Sequence, residues 1–234
     1  MTILGVDGKQ RCFGGQAGKE LYGRYHDEEW GVPSHDDQHL FEMLILEGAQ
    51  AGLSWETVLN KREGYRVAFH GFDVGRVAAM TDDELEALRE DTGIIRNKLK
   101  IYSARKNAIA FVEMQREFGS FADWLWAHVD GTPQILRPKD NTQLRVTSPE
   151  SDAISKALKK RGMSFVGSTI IYAYMQAVGP LFSHLLGYVT VALAIPLAAM
   201  RLDDLPLKKL SGLLLLATLM GALLPMGMAW LLHL

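Results

Sequence analysis

The apolar pattern is strongest between Leu40 and Trp55, LFEMLILEGAQAGLSW. Leu40, Met43, Leu44 and their i+4 partners fall on one face at helical period, and Glu47 lies on that same face. Asp36 or Asp37 can cap this helix, and Ser54 can cap a second one running from Trp55 to about Phe69, with Val58, Leu59 and Arg62 at helical spacing. Shorter amphipathic stretches follow at Val74–Met80 and Asp82–Glu90, the latter opened by a Thr81/Glu84 capping box. A Gly93 turn leads into a long helix, Lys98–Phe118. Two more follow: Phe121–Val129, whose Trp124 and Trp126 read as core, and Phe165–Val178. A further helix starts near Ser151, after a polar connection over 130–149. Leu21 to Pro33, dense in aromatics and closed by Gly31 and Pro33, reads as an ordered loop, and residues 1–20 as loosely ordered. No alternating pattern persists before Gly179, so the fold class is all-α.

The pattern changes beyond Pro180. Leu181 to Met200 is uncharged save for His184, and Leu210 to Leu232 is uncharged throughout. Runs of this length are candidate membrane helices. The expected organisation is therefore a globular domain over 1–180 and a hydrophobic tail over 181–234, with helices at about 181–200 and 210–232. A net charge of −2 averages over these two regions. Three of the 25 basic residues lie in the tail (Arg201, Lys208, Lys209) against two of the 27 acids (Asp203, Asp204), which leaves 22 against 25 through Pro180. Nucleic acid must then be met by local positive charge. One cysteine rules out an internal disulfide and suits a reducing compartment. The first eleven residues lack the sustained apolar segment of a secretory leader.

Two features carry candidate chemistry. A carboxylate at Glu47 on an apolar face must be desolvated, and the small residues after it end in Trp55; acid and ring together suit a flat ligand. A bland alternative makes Glu47 a core acid bonded to a neighbouring backbone group. The second feature is basic charge: Arg96, Lys98, Lys100, Arg105 and Lys106 around the Gly93 turn, and Lys156, Lys159, Lys160 and Arg161 further on. Each cluster alone reads as a solvated helix face. Beside exposed N–H groups at a glycine turn, the first also fits a phosphate site.

Several stretches resemble the type I 3-methyladenine DNA glycosylases of the helix-hairpin-helix superfamily. They are Tyr25-His26-Asp27 through Pro33, Leu40 through Gly48, Gln50 through Trp55, Gly93-Ile94-Ile95-Arg96, Ser155 through Gly162 and Phe165 through Thr169. The resemblance implies hydrolysis of the N-glycosidic bond of 3-methyladenine in alkylated double-stranded DNA, by a monofunctional enzyme that flips the base. It makes Glu47 the acceptor for the base edge, its negative charge favouring a cationic base. Trp55, Tyr25 and Tyr22 become the aromatic faces, and Gly52, Leu53 and Ser54 the turn that fills the duplex gap. Gly93, Ile94, Ile95, Arg96 and Lys98 become the backbone grip. It also implies a structural zinc on Cys12, His26 and His184. The fourth family ligand is replaced by Tyr188, and three donors leave zinc weak or absent. Where the family carries a Trp two residues after the cysteine, this chain has Phe13-Gly14-Gly15. No organic cofactor and no obligate protein partner are implied, and the location is cytoplasmic. Under the competing reading, the tail tethers a catalytically weak DNA-binding or scaffold module to a membrane.

Overall fold

The computed structural model describes residues 3–136 and 144–183. The chain divides into two compact units, 1–185 and 186–234, and all described residues belong to the first. The candidate helices over about 181–200 and 210–232, His184 and Tyr188 therefore lie outside the described residues, except for Leu181–Ser183. Those three residues form a short strand rather than the start of a helix. It pairs in parallel with Gln134–Leu136 inside the polar connection. Among the described residues no helix is long and apolar enough to cross a membrane.

The described unit is helical, in the order α1 Glu20–Glu28, α2 Asp37–Gln50, α3 Trp55–Leu59, α4 Arg62–Ala68, α5 Val74–Ala78, α6 Asp82–Ala87, α7 Lys98–Phe118, α8 Phe121–Ala127, α9 Pro149–Lys160 and α10 Ser168–Ala177. At its centre is α2, in which every residue from Leu40 to Ala49 is buried. Such a helix is buried all round rather than on one stripe, its apolar residues being interrupted by the acids Glu42 and Glu47. Its N-terminus is capped by Asp36, which accepts from the His39 N–H at 2.9 Å. Asp37 instead reaches the start of α8, accepting from the N–H groups of Phe121 at 3.0 Å and Ala122 at 2.8 Å. One aspartate thus caps its own helix and its neighbour caps another, fixing α8 against α2.

Three local readings change. Residues 1–20 are not loose: Ile3–Leu4 and Gln10–Arg11 pair antiparallel. Arg11 closes the hairpin onto Asp7 (2.9 and 2.6 Å) and onto Asp27 (2.8 and 2.6 Å). Of the stretch read as a loop, Glu29–Pro33 is irregular as expected, and Leu21–Glu28 belongs to helix α1. Its Gly23 permits close packing, since a Cβ there would meet the Gly14 carbonyl at 2.6 Å. The single helix from Trp55 to Phe69 is two, broken at Asn60–Lys61. Arg62 at the start of the second turns inward to Glu42 (2.8 Å) and Glu29 (2.6 Å). The Thr81/Glu84 capping box, the bounds of α7 and the burial of Trp124 and Trp126 follow the sequence pattern.

Candidate active site

Alpha-helix α2 carries two buried acids in contrasting surroundings. For Glu42, burial opposes ionisation, but hydrogen bonds from Arg62 (2.8 Å) and Arg66 (2.7 Å) outweigh it and hold its carboxyl below the usual range. Glu47 has no such partner. Its side chain is buried, and burial alone pushes its carboxyl up to about 8. Burial thus favours the neutral acid near neutral pH, and a cation beside it would favour the carboxylate.

Glu47 lines a cavity of about 160 Å³ with Phe13, Tyr22, Tyr25, Trp30, Gln50, Trp55, Ala173 and Gln176. The aromatic wall is built on α1, which presents Tyr22 and Tyr25 three residues apart, and on Trp55, the first residue of α3. Tyr25 lies 5.3 Å from Trp55 between ring centroids. Burial, and then the nearby Glu47 carboxylate, raise the Tyr25 hydroxyl well above its usual range, so it stays a neutral donor. The indole N–H of Trp55 is buried without a hydrogen-bond partner. An indole nitrogen only donates, so this N–H could be satisfied only by an acceptor.

The structure thus brings Glu47, Tyr22, Tyr25 and Trp55 together. Local pattern missed Phe13, Trp30, Gln50, Ala173 and Gln176 as lining residues. Phe13 stacks on Tyr22 at 4.6 Å and meets Trp30 edge-on at 5.3 Å, so an aromatic wall survives despite Gly14 at the family's Trp position. Ala173 and Gln176 come from α10, more than 120 residues away in sequence, with no local signal to find them. The small residues after Glu47 act differently from one another. A Cβ on Gly48 would press on Phe165 at 3.1 Å, so its smallness serves packing. Gly52 has φ +79° and open space around it. There the left-handed backbone is what requires glycine, and it turns out the partly exposed Leu53 and exposed Ser54. Ser54 also caps α3 through the Thr57 N–H at 3.2 Å.

The Gly93 turn differs from a ring of open N–H groups. Gly93 N–H donates to Asp91 Oδ1 at 2.6 Å, Ile94 is buried, and Ile95 N–H donates to Tyr65 Oη at 3.4 Å. The turn packs tightly on α4: a Cβ on Gly64 would collide with the Gly93 carbonyl, so it is position 64 that requires glycine, while a Cβ on Gly93 would meet the Asp91 carboxyl at 3.0 Å. Of the nearby cations, Lys98 pairs with Glu86 at 2.9 Å, Arg105 with Asp82 and the Met80 carbonyl, and Lys100 points at backbone carbonyls. Arg96 and Lys106 are exposed, as are Lys156, Lys159 and Lys160 of the second cluster. Arg161 pairs with Glu117 at 2.7 Å.

For the expected metal, Cys12 Sγ and His26 Nε2 are 3.1 Å apart. Two ligands of a tetrahedral zinc, at ~2.3 Å to sulfur and ~2.0 Å to nitrogen, stand about 3.5 Å from each other. Among the described residues no group of three or more His, Cys, Asp or Glu could hold a metal ion.

With the site described, similarity becomes informative. Residues 15–190 match the family described as Methyladenine glycosylase. This chain belongs to the methyladenine glycosylase family. The DNA-3-methyladenine glycosylase 1 of Escherichia coli K12 is 48% identical over 178 residues, which is 76% of this chain and 95% of that one. The DNA-3-methyladenine glycosylase of Haemophilus influenzae is 44% identical over 167 residues, 71% and 90% of the two chains. A crystal structure of 3-methyladenine DNA glycosylase I superposes with a TM-score of 0.69 at 52% identity, covering 71% of this chain and 92% of that one. The similarity spans the unit that contains the cavity.

Proposed function

We propose that this chain is a DNA glycosylase that removes 3-methyladenine from alkylated DNA by base flipping. The observation that carries this reading is Glu47, a buried acid with no ionic partner in a small aromatic cavity. At about 160 Å³ the cavity lies below the ~300–1,000 Å³ of pockets for drug-sized ligands, and suits a single flat base. An N3-alkylated adenine in DNA is cationic. Trp55 and Tyr25 offer π faces to that cation. Glu47 releases its proton to solvent when the cation arrives and, as the carboxylate, accepts a hydrogen bond from the base edge. Water then attacks the sugar carbon as the N-glycosidic bond breaks, and the attacking water's extra proton passes to solvent. The bond's electron pair passes to the base and cancels its charge, so the base leaves neutral without an acid to protonate it. Leu53, at the tip of the Gly52 turn, fills the space vacated in the duplex, and Arg96 beside the Gly93 turn meets a backbone phosphate.

The decisive experiment is release of free 3-methyladenine from methylated duplex DNA by the purified full chain. Release by the wild type and its loss in a folded Glu47→Gln variant support the reading; wild-type rates in that variant refute the role of Glu47. We also propose that zinc is held weakly, which metal analysis tests: one tightly bound zinc per chain is the contrary result. The substrate places the activity with the chromosome, in the cytoplasm. Membrane attachment through residues 210–232 predicts recovery of the full chain in carbonate-washed membranes, and recovery in the soluble fraction opposes it.

A further inference from the structure

The last carbonyls of an α-helix have no partner within the helix. At the end of α2 they are claimed by an unusual donor. Lys100 Nζ lies 2.7 Å from the carbonyl oxygen of Ala49 and 2.7 Å from that of Ala51. Between them, the Gln50 carbonyl accepts from the Leu53 N–H at 2.7 Å, and the Gln50 side-chain amide returns to the Leu53 carbonyl at 3.0 Å. Ser54 ties the far end of the turn to α3 through Thr57, and Lys100 supplies the side-chain bonds that tie its near end to α7. The lysine sits in the first turn of α7, where its own N–H is held by the cap residue Asn97 at 3.1 Å. It is half-buried, and its neighbours Lys98 and Arg105 are paired with acids, whereas Lys100 faces two carbonyls.

We propose that Lys100 is a positioning residue that locks the duplex-filling turn to the helix beside the phosphate grip. Resting on the glycosylase reading, this makes backbone binding and insertion one rigid movement: the phosphates fix α7, and α7 carries Leu53 into the gap. The positive charge also suits the C-terminal end of the α2 dipole. Lys100 consequently does not serve as a phosphate ligand, although its sequence context places it among the basic residues.

The test uses the full chain with Lys100→Met, which keeps the aliphatic stem and removes the ammonium. Losing two charge-assisted hydrogen bonds from a turn that must hold its shape predicts a roughly 10- to 100-fold fall in excision from methylated duplex. The fall is much smaller on methylated single strands, where little unstacking is required. Binding of free 3-methyladenine, followed by tryptophan fluorescence, stays within about twofold of wild type, since the cavity is untouched. The salt slope for undamaged duplex is unchanged, whereas loss of a phosphate contact would lower it by about one. Lys100→Arg restores much of the duplex activity. Equal losses on single and double strands, a lowered salt slope, or parallel loss of free-base binding each overturn the positioning role. Wild-type activity in Lys100→Met overturns it while leaving the glycosylase reading intact. A wild-type chain inactive on all methylated DNA overturns both.

Discussion

Replacing Glu47 by Gln is expected to make the protein more stable while abolishing its activity, and the gain should depend on pH. Burial raises the Glu47 carboxyl from 4.5 to about 8 in the folded protein. Between those values the folded protein keeps a proton that the unfolded chain has released. Raising the pH through that window therefore favours unfolding, by ~1.4 kcal/mol per unit where the difference is complete. From pH 5 to pH 8 the accumulated loss is roughly 3.5 kcal/mol, since the ends of the window contribute only partly. A glutamine cannot titrate, so the variant escapes this term. For a protein of this size 1 kcal/mol moves Tm by roughly 2–4 °C. The Tm advantage of Glu47→Gln over wild type should thus widen by roughly 7–14 °C between pH 5 and pH 8. Paired melts by circular dichroism in low-salt buffers measure it, and other titrating groups cancel in the difference. A gap that stays flat across this range would show that Glu47 is ionised in the fold, with a compensating partner, and would refute the account of the site as an uncompensated acid.

Three further outcomes follow from the same geometry. Because the cation needs an ionised Glu47, kcat/KM for excision should rise roughly tenfold per pH unit between pH 6 and 7 and level off above 8, and a flat wild-type profile would contradict this. Arg96→Ala should lower the salt slope of duplex binding by about one and weaken all sequences alike, while Lys98→Ala, whose charge is already paired with Glu86, should do less; equal effects would mean the ion pair opens freely on DNA. Gly64→Ala should cost about 1–3 kcal/mol in chemical denaturation, since its Cβ would meet the Gly93 backbone, and an unchanged midpoint would show that the hairpin turn gives way easily.

What could be read from the residues alone depended on whether the deciding interaction was local. The bounds of α7 follow from Asn97, whose side chain caps Lys100, and from Gly119 at φ +88° after Phe118. Both signals sit within three residues of the helix ends. The capping box at Thr81 is local in the same way. Helix α1 is not: a glycine in its middle and alternating aromatics argue for a loop, and what holds it is the packing of Gly14 on Gly23 and of Phe13 on Tyr22. The strand at Leu181–Ser183 pairs with Gln134–Leu136, some 47 positions away, so an apolar run there reads equally as the start of a helix. Within the cavity, the presence of Glu47 was legible because an acid on an apolar face is conspicuous. Its protonation was not, because that depends on the absence of an arginine, and two arginines do reach the other acid of the same helix.

That contrast within α2 says what the site is for. Glu42 and Glu47 are both almost wholly buried, yet Arg62 and Arg66 converge on the first and burial alone governs the second. A fold selected for stability alone would neutralise both acids or replace the second by an apolar residue, since an uncompensated polar group costs about 1–3 kcal/mol or more when buried. Beside Glu47 in the cavity wall stands a second such group, the unpartnered indole N–H of Trp55. One is an acceptor once ionised and the other a donor, and both are flanked by aromatic faces. A normal adenine could offer hydrogen bonds to this pair but no charge to draw the proton from Glu47. A base carrying a positive charge supplies that charge, the hydrogen bonds and the stacking partner together. Under the proposed function, discrimination would reside in the protonation state of one carboxyl: the neutral acid would leave ordinary bases weakly held, and a cationic base would favour the anion that binds it.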